Sequence, residues 1–281
     1  MSTTTVDRRS IRNSVGPGPA FHRVLNSEFI KFRTLTSTLV LLASTAALII
    51  GIAALSAQDA GEMAANATPD AALLSDMQSG DLAYDAPTMG VGMAVLIFGS
   101  LGVLLMSSEF TTGMARSTFA AVPKRFSPFV AKLLVITVTG FALTATASYI
   151  AGLVTIPILD SYNIAMNLAN PASIRRLLVY SAYMAAIAGT GMALGTILRN
   201  AAGAIMALVT LIAIAPGSLN LVGGDVGKEI LKYLPSSTLN SLLPVEHPPG
   251  ELEAWQAALV LGAWVIIPAI IAMILLKKRD I

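Results

Sequence analysis

The side chains able to do chemistry are few, and most fail as sites on type and spacing alone. There is no cysteine, which excludes disulfides, thiolate metal centres and cysteine nucleophiles. The two histidines, His22 and His247, are too few for a histidine-based metal centre, and His247 beside Glu246 and Pro248-Pro249 reads as a loop residue. Asp160 with Asn163 is the nearest approach to an acid–base site, and a lone carboxylate there reads as a helix-end residue. Asp59, Glu62, Asp70, Asp76, Asp81 and Asp85 are spread over 27 positions. Calcium sites gather their oxygens closely, so these six read as a solvated acidic loop. A G-x-x-x-x-G-K-[ST] phosphate loop is absent: Thr112-Gly113 and Val222-Gly223-Gly224-Asp225 lack the lysine and the strand–helix setting. ATP hydrolysis by that route is therefore closed to the chain. Three groups remain: Glu28 in the run FHRVLNSEFIKFR, the stretch from Glu109 to Arg125, and the pair Arg175-Arg176.

Hydropathy dictates the elements that must position these groups. Of 281 residues, 55% are hydrophobic and 12% charged, with mean hydropathy +0.73. A soluble domain carries about a quarter charged residues, and a disordered chain is polar. Six stretches without Asp, Glu, Lys, Arg or His qualify as spans: Thr34 to Gln58, Ala86 to Ser108, Leu133 to Leu159, Leu177 to Leu198, Asn200 to Gly224 and Ala254 to Leu276. Crossing a bilayer takes about 20 apolar residues. Backbone in lipid must bond to itself, so these are helices, and the alternation of a membrane β-barrel is missing. The expected fold is all-α and polytopic: a disordered tail over 1–20 containing Gly16-Pro17-Gly18-Pro19, then a single six-span domain over 21–281. Its spans fall at about 38–58, 87–108, 130–159, 175–198, 201–222 and 254–276, with an external helical segment at 223–253. The first span is too long, and too far from the start, for a cleaved signal peptide, and Leu55-Ser56-Ala57 is a poor cleavage site.

Charge sets the orientation. With the N-terminus inside, 14 of 18 basic residues are internal, leaving Arg175, Arg176, Lys228 and Lys232 outside. The positive-inside rule then places both termini in the cytoplasm. Dispersed at membrane boundaries in this way, the basic residues give no support to nucleic-acid binding.

Residues 21–33 form an amphipathic helix with Phe21, Val24, Leu25, Phe29 and Phe32 on one face, suited to lie in the membrane interface with Lys31 and Arg33 at its basic end. Glu28 falls inside the apolar face, which calls for a cationic partner or a neighbouring protein surface, or else for a slight rotation of the helix that lets the carboxylate reach water. Between the second and third spans, Glu109, Gly113, Arg116 and Ala120 share one helical stripe, Phe110, Met114 and Ala121 another, and Pro123 ends the pattern. Periodicity leaves two readings level: a short helix docked on a cytoplasmic partner, or an interfacial helix closing the loop.

Several motifs resemble the membrane subunits of ABC exporters of the ABC-2 type, in particular their actinobacterial-type members. They are Leu25-Asn26-Ser27-Glu28-Phe29-Ile30-Lys31-Phe32-Arg33-Thr34 before the first span, Glu109-x-x-x-Gly113 followed by Ala121-Val122-Pro123-Lys124-Arg125, Leu194-Gly195-Thr196-Ile197-Leu198-Arg199-Asn200, Lys232-Tyr233-Leu234-Pro235-Ser236 and the basic end Lys277-Lys278-Arg279-Asp280. The resemblance runs from about residue 21 onward. It implies that 21–33 is the connecting helix carrying Glu28, Lys31 and Arg33. It also implies that 109–122 include a coupling helix, with Glu109, Phe110, Gly113, Arg116 and Phe119 engaging an ATPase, and that 222–253 fold as short external helices. Six spans are half a transporter of this type. The implied assembly is two membrane subunits, the second a copy or a relative, with two separate ATPase chains that bring ATP and magnesium; this chain needs no cofactor of its own.

None of the six stretches has an ionisable residue near its middle, which disfavours an ion-driven transporter and suits an apolar or amphipathic substrate. Thr144, Thr146, Ser148 and Tyr149 could face a pathway, or bond their own helix. Gly191-x-x-x-Gly195 permits close helix packing, within the chain or between chains, and Pro157 and Pro268 permit kinks. Arg175 and Arg176, exceptions to the charge bias, suit outer-leaflet phosphates or an exit contact. The rival readings are a non-transporting membrane scaffold or sensor and, behind it, a membrane-integral enzyme.

Overall fold

The computed structural model describes residues 20–66, 83–114, 126–243 and 251–278. Arg116, Phe119, most of the N-terminal tail, most of the acidic loop and His247 lie outside the described residues. The elements are α1 (Phe21–Thr34), α2 (Thr36–Ala65), α3 (Val91–Thr111), α4 (Phe126–Asp160), α5 (Pro171–Leu198), α6 (Ala201–Val209), a π-helical turn (Thr210–Ile214), α7 (Ala215–Val222), α8 (Gly224–Lys232), α9 (Pro235–Leu242) and α10 (Ala254–Lys278). No strand occurs among the described residues. Among the described residues, six helical spans are long and apolar enough to cross a membrane: α2, α3 extended back to Ala83, α4, α5, Ala201–Leu221 and α10. The chain is thus an all-α, multi-pass membrane protein. Several helices overrun the charge-free stretches, because backbone bonding continues past the point where side chains become polar; α2 continues through Asp59 and Glu62.

The second and fourth spans form the centre, with more than half of their apolar windows buried. Glycine explains how closely α3 and α5 meet. A Cβ on Gly191 would collide with the carbonyl oxygen of Gly99, and one on Gly195 would stand 2.5 Å from that of Val103. The Gly191-x-x-x-Gly195 pair is therefore used inside the chain. Thr190 Oγ1 then ties α5 to α10 by donating to the carbonyl of Trp264 at 2.7 Å.

Pro216 accounts for the π turn that precedes it. A proline ring clashes with the carbonyl four residues back, and a widened turn removes the clash without ending the span. Pro157 and Pro268 lie inside α4 and α10, both of which run on past them. The segment after span five does not stand clear of the bundle. α9 packs against the π turn, α5 and α10, and Trp264 Nε1, ten residues into α10, donates to Tyr233 O at 2.8 Å. The short helices fold back alongside the spans, burying Pro235, Thr238 and Ser241.

Candidate functional site

The end of the bundle that carries α1 is called proximal here, and the other end distal. Leu35, in extended conformation, separates α1 from α2 and lets α1 turn aside from the span. The stripe Val24, Glu28, Phe32 is buried, while Phe21, Phe29 and Ile30 are exposed. The apolar face is thus divided: one edge packs on the bundle and the other is left to the surroundings. Glu28 belongs to the packed edge, which explains a carboxylate among apolar residues.

Glu28 meets Lys132 of α4, an ion pair buried on both sides. The same Lys132 Nζ lies 2.8 Å from Glu109 Oε1 at the end of α3. Lys31, half-exposed, stands at the rim, 3.4 Å from Glu28 and 3.9 Å from Glu109. Two carboxylates and two ammonium groups balance, and Lys132 is shared by the other two helices. Breaking a buried pair by removing one partner costs several kcal/mol, so this cluster fixes α1, α3 and α4 to one another. A cavity of about 340 Å³ adjoins it, with Leu41, Leu101, Leu105 and Val135 among its apolar walls.

The residues expected to engage a partner divide sharply. Glu109 is turned inward into the cluster. Phe110 is half-buried, and the Arg199 guanidinium stacks 4.9 Å from its ring. Gly113 has φ +71° and follows the last turn of α3, so the chain turns there. Glu109 and Phe110 thus lie in the last turn of the second span's helix, with a left-handed glycine after it, and residues 115–122 of the expected coupling segment lie outside the described residues. Met114, beyond the turn, is exposed. Arg33 is exposed on α1.

Lys132 lies within the expected span at 130–159 but just outside the charge-free stretch that begins at Leu133, where a lysine reads as a flanking charge that orients the chain. The helix begins at Phe126 and carries Lys132 on its buried face beside Phe129, Val135 and Ile136. Apolar residues on both sides, Val130-Ala131 and Leu133-Leu134, are the signal that marks it.

At the distal end, Arg176 Nε pairs with Asp85 Oδ1 at 2.6 Å, and the guanidinium lies 5.9 Å from the Tyr84 ring. Arg175 beside it is half-buried. Of the hydroxyl residues in α4, Thr146 bonds the Ala142 carbonyl at 2.8 Å, Thr144 and Ser148 are buried, and Tyr149 is half-exposed. Comparison of the chain with protein-family models and with curated proteins gives no match.

Proposed function

We propose that this chain is the membrane subunit of an ATP-driven exporter of the ABC-2 type. Two copies, or one copy and a relative, form the pathway for an apolar or amphipathic substrate, and two separate cassette ATPases bind ATP and magnesium. In this reading the proximal end is cytoplasmic, both termini lie there, and the membrane is the bacterial plasma membrane. The observation that carries the reading is the shared Lys132. A force applied to the chain just beyond Thr111 reaches Glu109 first, and through Lys132 it reaches α4 and α1 together. Exposed Met114, with Arg116 and Phe119 following, would supply the docking contact, while Glu109 and Phe110 transmit from behind it. Basic residues at the proximal end (Arg23, Lys31, Arg33, Arg199, Lys277 and Lys278) fit an inward orientation.

The chain, affinity-purified from its own membranes in mild detergent, is expected to bring down a cassette ATPase. Arg116→Glu should lose the ATPase while Arg175→Gln keeps it. Recovery of the chain without any ATPase, in wild type and variants alike, would favour the scaffold or sensor reading.

A further inference from the structure

The distal end holds a second polar constellation that energy coupling does not use. A cavity of about 590 Å³ lies between the start of the second span, the distal half of α4, the 166–169 turn and the first turns of α5. Its walls are mainly apolar, Leu153 and Ile156 on α4 and Leu168 opposite them. Tyr149 and Leu153 are about half exposed, so the cavity communicates with the flank of the bundle that faces hydrocarbon. Arg176 stands in its wall near the membrane boundary.

Two observations mark this cavity as a binding site. Ser148 lines it, is 1% exposed, and its Oγ has no hydrogen-bond partner. Ser181 closes onto the carbonyl four residues back at 2.7 Å and Thr196 does so at 2.9 Å, whereas Ser148 has its open hydroxyl in common with Ser107 and Thr144, neither of which lines this cavity. A buried hydroxyl without a partner carries a desolvation penalty that a ligand oxygen would relieve. Charge is the second observation. Asp85 contacts Arg176 through Nε, one of five N–H donors on a guanidinium, which leaves the fork able to grip a second anion. Arg175, next in the chain, adds a second positive charge to the first turns of α5. The start of α5, a 28-residue helix, adds positive potential in the same place.

We propose that this cavity binds an anionic amphiphile. Its phosphate or carboxylate head sits on Arg176, its chain lies along Leu153 and Ile156, and an acceptor oxygen takes the Ser148 hydroxyl. The site is built within one chain and needs no ATPase, so it stands or falls independently of the export reading.

The test is retention of radiolabelled oleate on the full chain in uncharged detergent, with competition by phosphatidylglycerol and by oleyl alcohol. One oleate per chain is expected, displaced by phosphatidylglycerol and not by a tenfold excess of the alcohol. Arg176→Gln should weaken binding at least tenfold. Leu153→Trp, which fills the chain groove and leaves the Arg176–Asp85 pair alone, should do the same while thermal stability stays at the wild-type value. Tighter binding of phosphatidylglycerol than of oleate assigns the site to bilayer lipid, and the reverse to a soluble amphiphile; both support it. Equal competition by the alcohol, or wild-type affinity in folded Leu153→Trp, overturns it.

Discussion

Lys132 bears more of the architecture than any other charged residue described. It is buried between carboxylates from two other helices, so its removal leaves two buried negative charges with only the half-exposed Lys31 to balance them. Lys132→Met is expected to lower stability by roughly 3–5 kcal/mol, read as a fall in unfolding temperature of the detergent-solubilised chain. The triple variant Glu28→Gln, Lys132→Met, Glu109→Gln should recover much of that loss, because no buried charge remains and Lys31 at the rim reaches water. An equal or greater loss in the triple variant would mean that packing of the lysine stem, and not charge balance, holds the cluster. Half of this site was legible in the sequence. Glu28 announced its need for a cation by interrupting an apolar stripe. The identity of that cation was hidden, because Lys132 lies more than a hundred positions away and at the edge of a span, where a lysine ordinarily serves to orient the chain. Glu109 was singled out as an outward contact; the helix extends one turn further than the charge-free stretch, and that turn brings the carboxylate inward.

Elements were easier to read than contacts. A span declares itself by length and hydropathy, properties local to the sequence, and six of them are present. How a span packs depends on partners far along the chain. The glycines of α5 illustrate this, since Gly191 and Gly195 suit contact inside one chain or between two. The structure places them against the backbone of α3. Gly191→Ala should therefore destabilise the chain by about 1–3 kcal/mol, as overpacking does, whether or not the chain is associated. Gly262→Ala, where nothing stands within 4 Å of an added Cβ, should be neutral or stabilising by a few tenths of a kcal/mol up to about 1 kcal/mol. Unfolding curves at several protein concentrations separate these effects from association. The segment after span five shows a further limit of sequence. Its prolines and apolar clusters mark short helices, but only the Tyr233 and Trp264 bond and the packing on the π turn reveal that they fold back along the bundle. Trp264→Phe removes that donor and should speed proteolysis at the α8–α9 junction severalfold without altering membrane insertion.

At the scale of the molecule, the ion pairs that join different helices among the described residues lie at the two ends of an apolar bundle. The proximal end ties α1 and the end of span two to α4, and the distal end holds an ion pair beside a cavity. The export reading proposed above uses that division: work arrives from a separate ATPase at one face, and an amphiphile is handled within the membrane. The export reading requires the segment between α3 and α4 to face the cytoplasm. The absence of cysteine allows a direct measurement: single cysteines at Arg116 and, as the opposite-side control, at Asp59, labelled with a membrane-impermeant maleimide in intact cells and in inverted vesicles. The account predicts that the cysteine at 116 reacts only in inverted vesicles and the one at 59 only in intact cells. Labelling at 116 from outside intact cells would contradict it.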